Sequence, residues 1–259
     1  MGQLLPLLAL FAVASGPQAT KQALPSPLQK EVNREEARQH YRAGERLVIR
    51  ENFEGAVREF RSATELDSEY VLAYYSMGQA LMALRRYPEA LAAYVGARET
   101  ILRQSHMDQG ARSAAERERR DQIDELERSL DMVRSGQIKG TGGSTLSLET
   151  DIEDRVNLLR DAEMKTTGNE PRIPAELSLA IGSAHYRLGH LEEAEEAYRS
   201  AIRSKGSLGA AHNNLAVVFM VTGRLDEARE EVAAAEEAGF RVAQRFKTDL
   251  ESRERDVVE

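Results

Sequence analysis

Few residues in this chain are of a type and spacing that could carry out chemistry. The five histidines, His40, His106, His185, His190 and His212, are scattered. None forms a His-x-x-x-His pair with a third ligand or a Glu base, as a helical metal site requires. Cysteine is absent, which excludes disulfides, thiolate zinc sites, iron–sulfur clusters and a cysteine nucleophile. The carboxylates Glu192, Glu193, Glu195 and Glu196 crowd one stretch, but no apolar pocket is indicated beside them to shift their pKa values, so they read as a solvated helix face. The run Gly140-Thr141-Gly142-Gly143-Ser144-Thr145 lacks both the Gly-Lys-Ser/Thr of a phosphate loop and the third spaced glycine of a dinucleotide fingerprint. Its composition is that of a linker. In Glu116–Arg120 acids alternate with arginines, the pattern of an ion-paired exposed helix. A net charge of -8 argues against nucleic acid as the main ligand, since neutralising phosphates takes a surplus of clustered Lys and Arg. The expectation is therefore a non-enzyme with no catalytic residue, no cofactor and no metal.

The elements that would position such residues are helices. The chain has 259 residues, 41% of them hydrophobic and 5% aromatic, and is rich in Ala, Glu, Arg and Leu with little Val-Ile-Thr strand patterning. This predicts an all-α fold. Between Val71 and Leu102, apolar-periodic runs at Ala73–Leu84 and Glu89–Leu102 flank the break Arg85-Arg86-Tyr87, and Pro88 stands where a first-turn proline is tolerated. Small residues at Gly78, Ala90 and Ala97, with Leu81 and Tyr94 between them, predict a closely crossed helical hairpin. The window recurs. Gly78 aligns with Gly44, Gly182 and Ala216; Ala90 with Ala56, Ala194 and Ala228; Tyr94 with Phe60, Tyr198 and Val232; Ala97 with Ala63, Ala201 and Ala235. Units starting at Ala37 and Val71, and again at Ala175 and Gly209, are 34 residues apart.

This register resembles the tetratricopeptide repeat family, whose signature is W-x-x-L-G-x-x-Y, then A-x-x-x-F, then a late proline. The matching positions are His40, Ala43, Gly44, Leu47; Tyr74, Met77, Gly78, Leu81; Ser178, Ile181, Gly182, His185; and His212, Leu215, Ala216, Phe219. No unit has the Trp, and Ser68, Leu102, Gly206 and Phe240 stand at the late proline. The resemblance implies an α-solenoid of helical hairpins whose first helices line a concave groove. The family's ligand-facing positions fall one, four, eight, eleven and twelve residues after each unit start. They correspond here to Arg38, Tyr41, Glu45, Val48, Ile49, Leu72, Tyr75, Gln79 and Met82 in the first block. In the second block they correspond to Glu176, Leu179, Ser183, Tyr186, Arg187, Asn213, Val217 and Met220. Of these, Arg38, Tyr41, Val48, Leu72, Tyr75, Gln79, Met82, Tyr186, Arg187, Asn213 and Val217 are the expected partner-binding residues, with Tyr and Met suited to a peptide. The Lys and Asn clamp by which related domains hold chaperone tails is replaced by Tyr41 and Glu45, so that ligand is not expected.

The rest of the chain flanks and joins the repeats. Residues 1–14 read as an export signal: an apolar run Leu4–Val13, too short for the ~20 residues of a membrane span, then Ala12-Val13-Ala14 before a cut. The mature chain is expected outside the cytoplasm, periplasmic or secreted, without a stable membrane span. Residues 15–32 form a Pro-rich tether, and Asn33 with Glu36 reads as the capping box opening the first helix. Repeat blocks at 33–104 and 175–242 enclose a bridging segment, 105–174, long enough for two eroded helix pairs. Its apolar stripes, Ile123–Val133 and Leu148–Leu159, are expected to pack on repeat ends, because about three repeats are needed for a stable stack. Gly189, Gly206, Gly223 and Gly239 are placed as left-handed helix ends. Residues 243–259, with Val242, Phe246 and Leu250 in a stripe, read as a capping helix. The functional expectation is a non-catalytic module that binds a peptide or protein. The alternative is an assembly factor, a homo-oligomer associating through its repeats and C-terminal helix.

Overall fold

The structure, a computed structural model, describes residues 27–105, 109–138, 145–162 and 173–258. The expected export segment, most of the expected tether, His106 and the glycine cluster fall outside the described residues. Eleven helices and no strand appear among the described residues: α1 (Pro27–Ile49), α2 (Phe53–Leu66), α3 (Val71–Ala83), α4 (Tyr87–Ser105), α5 (Gln109–Arg134), α6 (Thr145–Asp161), α7 (Ala175–Leu188), α8 (Leu191–Ser204), α9 (Gly209–Val221), α10 (Leu225–Glu237) and α11 (Gln244–Val258).

Four hairpins, α1/α2, α3/α4, α7/α8 and α9/α10, carry the repeated register. Their close crossing comes from complementary residue sizes. A Cβ on Gly182 would lie 2.6 Å from the Tyr198 ring, and Gly44 and Gly78 are held in the same way against Phe60 and Tyr94. In the fourth unit the ring is replaced by Val232, and the facing residue can be Ala216. Ala56, Ala90, Ala194 and Ala228 have no exposed surface, because a larger side chain there would separate the helices.

The start of α1 differs from the capping-box reading. The helix begins at Pro27, in the position where a proline has no amide to lose, and the strong formers that follow carry it through Asn33, whose Oδ1 accepts from Gln29 Nε2 at 2.8 Å. At α2, Asn52 is a true N-cap, its Oδ1 accepting from the Gly55 amide at 3.0 Å. The turn inside each hairpin takes one residue in the left-handed region. Gly189 (φ 79°) and Gly223 (φ 77°) fill it in the last two units, Glu51 (φ 57°) and Arg85 (φ 59°) in the first two. Gly239 ends α10 in the same conformation, whereas Gly206 does not: α8 closes at Lys205 in an extended conformation.

The segment between the blocks is not a pair of degenerate repeats. α4 packs directly against α7, so the four hairpins form one continuous stack. α5 and α6 leave that stack and pair antiparallel, with Arg134 bonded to Glu149 and Glu153 (both 2.6 Å) and Arg160 to Glu127. Their apolar faces, including Leu126, Leu130, Val133, Ile152, Val156, Leu158 and Leu159, join the core of repeats 1 and 2. α6 packs on α7, the first helix of the repeat that begins at Ala175, as expected of its stripe, and its Leu148, Asp151, Ile152 and Arg155 also line a cavity facing α1 and α3. At the C-terminus, Val242, Phe246 and Leu250 pack on the last hairpin, and Lys247 Nζ bonds Glu236 Oε1 at 2.7 Å.

An L-residue in the left-handed region costs roughly 1–2 kcal/mol, part of which glycine gives back through the entropy of the unfolded chain. Arg85→Gly is therefore expected to raise stability by about 0.5–1 kcal/mol in urea denaturation, while Gly189→Ala lowers it.

Candidate protein-interaction groove

The repeat register offers the inner faces of α1 and α3 to a partner, and the α5–α6 hairpin already covers much of them. α5 runs along α1. Arg38 Nε donates to Glu118 Oε1 at 3.1 Å, with a second bond between the same side chains, and Arg42 makes a two-point pair with Glu125 at 2.6 and 3.1 Å. α6 crosses α1 and α3 and delivers Arg155. The Arg155 side chain is only 7% exposed; its Nη1 donates to Tyr41 Oη at 3.0 Å and to Glu45, and its Nη2 lies 3.5 Å from Asp151. Gln79 Nε2 donates to the other Asp151 oxygen at 2.6 Å. A buried guanidinium is tolerated only with such a set of partners. Burial pushes the Tyr41 hydroxyl well above its ordinary pKa, and it raises Glu45 despite the opposing charge of Arg155.

Three of the residues expected to face a partner are thus buried inside the molecule, which corrects their expected openness. Tyr41 stacks on Phe60 (5.5 Å between ring centroids) and Tyr70 (5.1 Å), Tyr75 lies 5.7 Å from Tyr94, and Leu72 sits in the core. Arg38 and Gln79 are committed to α5 and α6. Val48 and Met82 are half-buried. What remains of this groove is a cavity of about 550 Å³ between α1, α2, α3 and the hairpin.

The second half is different. On α7 and α9, Tyr186, Asn213 and Val217 are half-buried and Arg187 is exposed. Asn213 Nδ2 donates to Asn214 Oδ1 at 3.3 Å, and Val221, at the end of α9, is 48% exposed. These residues line one stretch of two adjacent first helices.

Sequence reasoning missed Arg155, although an arginine inside the stripe Ile152–Val156–Leu159 was a visible signal for a buried charge. It also missed a repeated pair. His40 Nδ1 lies 2.7 Å from Glu59, and His212 Nδ1 lies 2.6 Å from Glu231, at matching positions of repeats 1 and 4. Both histidines brace their own hairpin. Among the described residues, no group of three or more His, Asp or Glu is placed to hold a metal ion.

Family comparison fits this geometry. A tetratricopeptide repeat model matches residues 179–240, and a TPR repeat model matches residues 44–85. Both halves of the chain carry tetratricopeptide repeats. No curated protein matches it by sequence. Solved TPR structures are similar to the chain. TTC0263, a thermophilic TPR protein from Thermus thermophilus, is 19% identical, with 86% of this chain and 98% of that one covered and a TM-score of 0.34. YrrB, a TPR protein with an unusual peptide-binding site, is 18% identical, covering 80% and 89%, with a TM-score of 0.26. Pseudomonas aeruginosa PilF is 13% identical, covering 82% and 80%, with a TM-score of 0.32. The TPR fold suggests a protein–protein interaction module, in a family that is generally non-catalytic.

One electrostatic coupling runs between α6 and α7. Glu176 is buried with Lys205 Nζ 3.0 Å away, and Asp154, itself partly buried, feels that carboxylate. Burial first, then Glu176 and Asp151, push the Asp154 carboxyl up to about 6. A folded-state pKa raised above the ordinary value of about 4 means the native state holds the proton more tightly. Stability is thus highest below pH 4 as far as this group is concerned, and is lost as pH rises to 6. Asp154→Asn is expected to stabilise the protein at pH 7.5 by on the order of 1 kcal/mol after allowance for solvent screening, with little effect at pH 4, read from paired thermal melts.

Proposed function

We propose that the protein is a non-catalytic adaptor that binds a peptide segment of a partner along the inner faces of α7 and α9, through Tyr186, Arg187, Asn213 and Val217. The supporting observation is the uneven occupancy of the concave surface: on α1 and α3, Tyr41, Leu72 and Tyr75 are buried and Arg38 and Gln79 are bonded to α5 and α6, whereas on α7 and α9 Tyr186, Asn213 and Val217 are half-buried and Arg187 is exposed. A tyrosine ring beside an arginine and a side-chain amide gives an apolar contact with charged and amide hydrogen-bonding groups around it, which suits an extended peptide whose backbone needs partners. The export segment at 1–14 would place this activity outside the cytoplasm.

Selection from a displayed random-peptide library tests the assignment. The wild-type protein is expected to enrich a consensus. Tyr186→Ala with Asn213→Ala should lose that consensus, whereas Tyr41→Phe in the covered half should retain it. Retention by the double variant would refute the site.

A further inference from the structure

The surface of repeats 3 and 4 holds two arginines that form no ion pair among the described residues, Arg187 and Arg253. On α7 and α9 together the only carboxylate is Glu176, and it is buried at the start of α7 with Lys205 Nζ 3.0 Å away. Arg187 stands at the other end of α7 and is exposed. It lies toward α9: the Tyr198 hydroxyl, which donates to Ser183 Oγ at 3.4 Å and borders Asn214, feels its charge.

The second arginine comes from the C-terminal helix. Phe246, Leu250 and Arg253 follow at spacings of 4 and 3, so they share the face of α11 that packs on the last hairpin. Arg253 Nη1 thereby donates to the Met220 carbonyl, 3.4 Å away in the last turn of α9. That contact uses one of five N–H donors. Nearby acids of α11 are turned elsewhere: Asp249 lies 3.9 Å from Arg245, and Glu251 follows one turn after Lys247, on the side that bonds Glu236 of α10. Two positive charges are therefore placed near the C-terminal ends of adjacent first helices, where the apolar side chains are Tyr186, Met220 and the 48% exposed Val221.

The first half of the molecule shows how such charges are met. Arg38 and Arg42 of α1 take Glu118 and Glu125, at 3.1 and 2.6 Å, from the α5 helix lying along them. No described segment does the same for Arg187 and Arg253, so the counter-charge is left for a partner to supply. Guanidinium–carboxylate pairs are charge-assisted and can form two parallel bonds, a basic segment would be repelled, and a neutral one would leave both charges to water.

We propose that the peptide segment bound on α7 and α9 is acidic, with a carboxylate side chain on each side of an apolar residue, one pairing with Arg187 and the other with Arg253. This inference rests on the peptide surface proposed above and adds to it the charge of the partner and a contribution from α11.

Random peptides displayed within a fusion, and so without a free C-terminal carboxylate, test it against the full chain. Wild-type protein should enrich a consensus with Asp or Glu on both sides of an apolar residue. Arg187→Glu should exchange one of those acids for Lys or Arg, and Arg253→Glu the other. Should Arg253→Glu not fold, Arg253→Gln should erase the acidic preference on its side alone. A synthetic peptide of the wild-type consensus, capped at both ends, should bind at least tenfold more weakly once its acids are replaced by Asn or Gln. A consensus without acids, or one that either charge reversal leaves unchanged in a folded chain, would overturn the acidic partner and leave the peptide surface standing; the absence of any wild-type consensus would overturn both.

Discussion

The Arg155 guanidinium, enclosed by Tyr41, Glu45 and Asp151, is the interaction on which the rest of the arrangement turns. A charge this deeply buried is stable only while every partner stays in place, and those partners come from α1 and from α6 itself. Through Asp151 the same group reaches Gln79 of α3. One side chain thereby fixes the hairpin to both inner helices of the first two repeats. The apolar stripe on either side, Ile152, Val156 and Leu159, supplies burial, while the guanidinium supplies register: a slide of one turn along the groove would leave a buried charge without its partners.

That attachment makes the two halves of the solenoid unequal. The four hairpins stack without interruption, since α4 meets α7, and repetition alone would predict one concave surface with equivalent sites along it. The inserted hairpin removes that equivalence. Over repeats 1 and 2 it turns an open groove into a small cavity with a polar end, and it leaves the inner faces of α7 and α9 as the more accessible surface. The coupling of Asp154 to Glu176 at the α6–α7 contact gives the junction between these halves a pH dependence.

The four hairpins were legible in the sequence because each depends on local complementarity: Gly78 needs Tyr94, Gly182 needs Tyr198, and Ala216 can face the smaller Val232. Such pairs repeat at a fixed spacing and announce themselves. The place of the hairpin in the groove was not legible, because it depends on contacts across long separations, such as Arg38 with Glu118 and Arg155 with Glu45, that no period records. For the same reason Tyr41 and Tyr75 read as partner-facing: the repeat register shows which way a side chain points but not what lies opposite it. Conformation at the turns was half legible. Gly189 and Gly223 marked the left-handed position, and the equivalent Glu51 and Arg85 concealed it.

The central claim, that α5 and α6 fill the concave face of repeats 1 and 2, is tested most directly by a distance measurement between α1 and α5. The chain has no cysteine, so spin labels can be placed cleanly at Gln39→Cys and Asp121→Cys, both exposed positions. Double electron–electron resonance is predicted to show one narrow, short distance, matching α5 lying along α1. A broad or long distribution would mean that the hairpin does not occupy the groove, and would contradict the account.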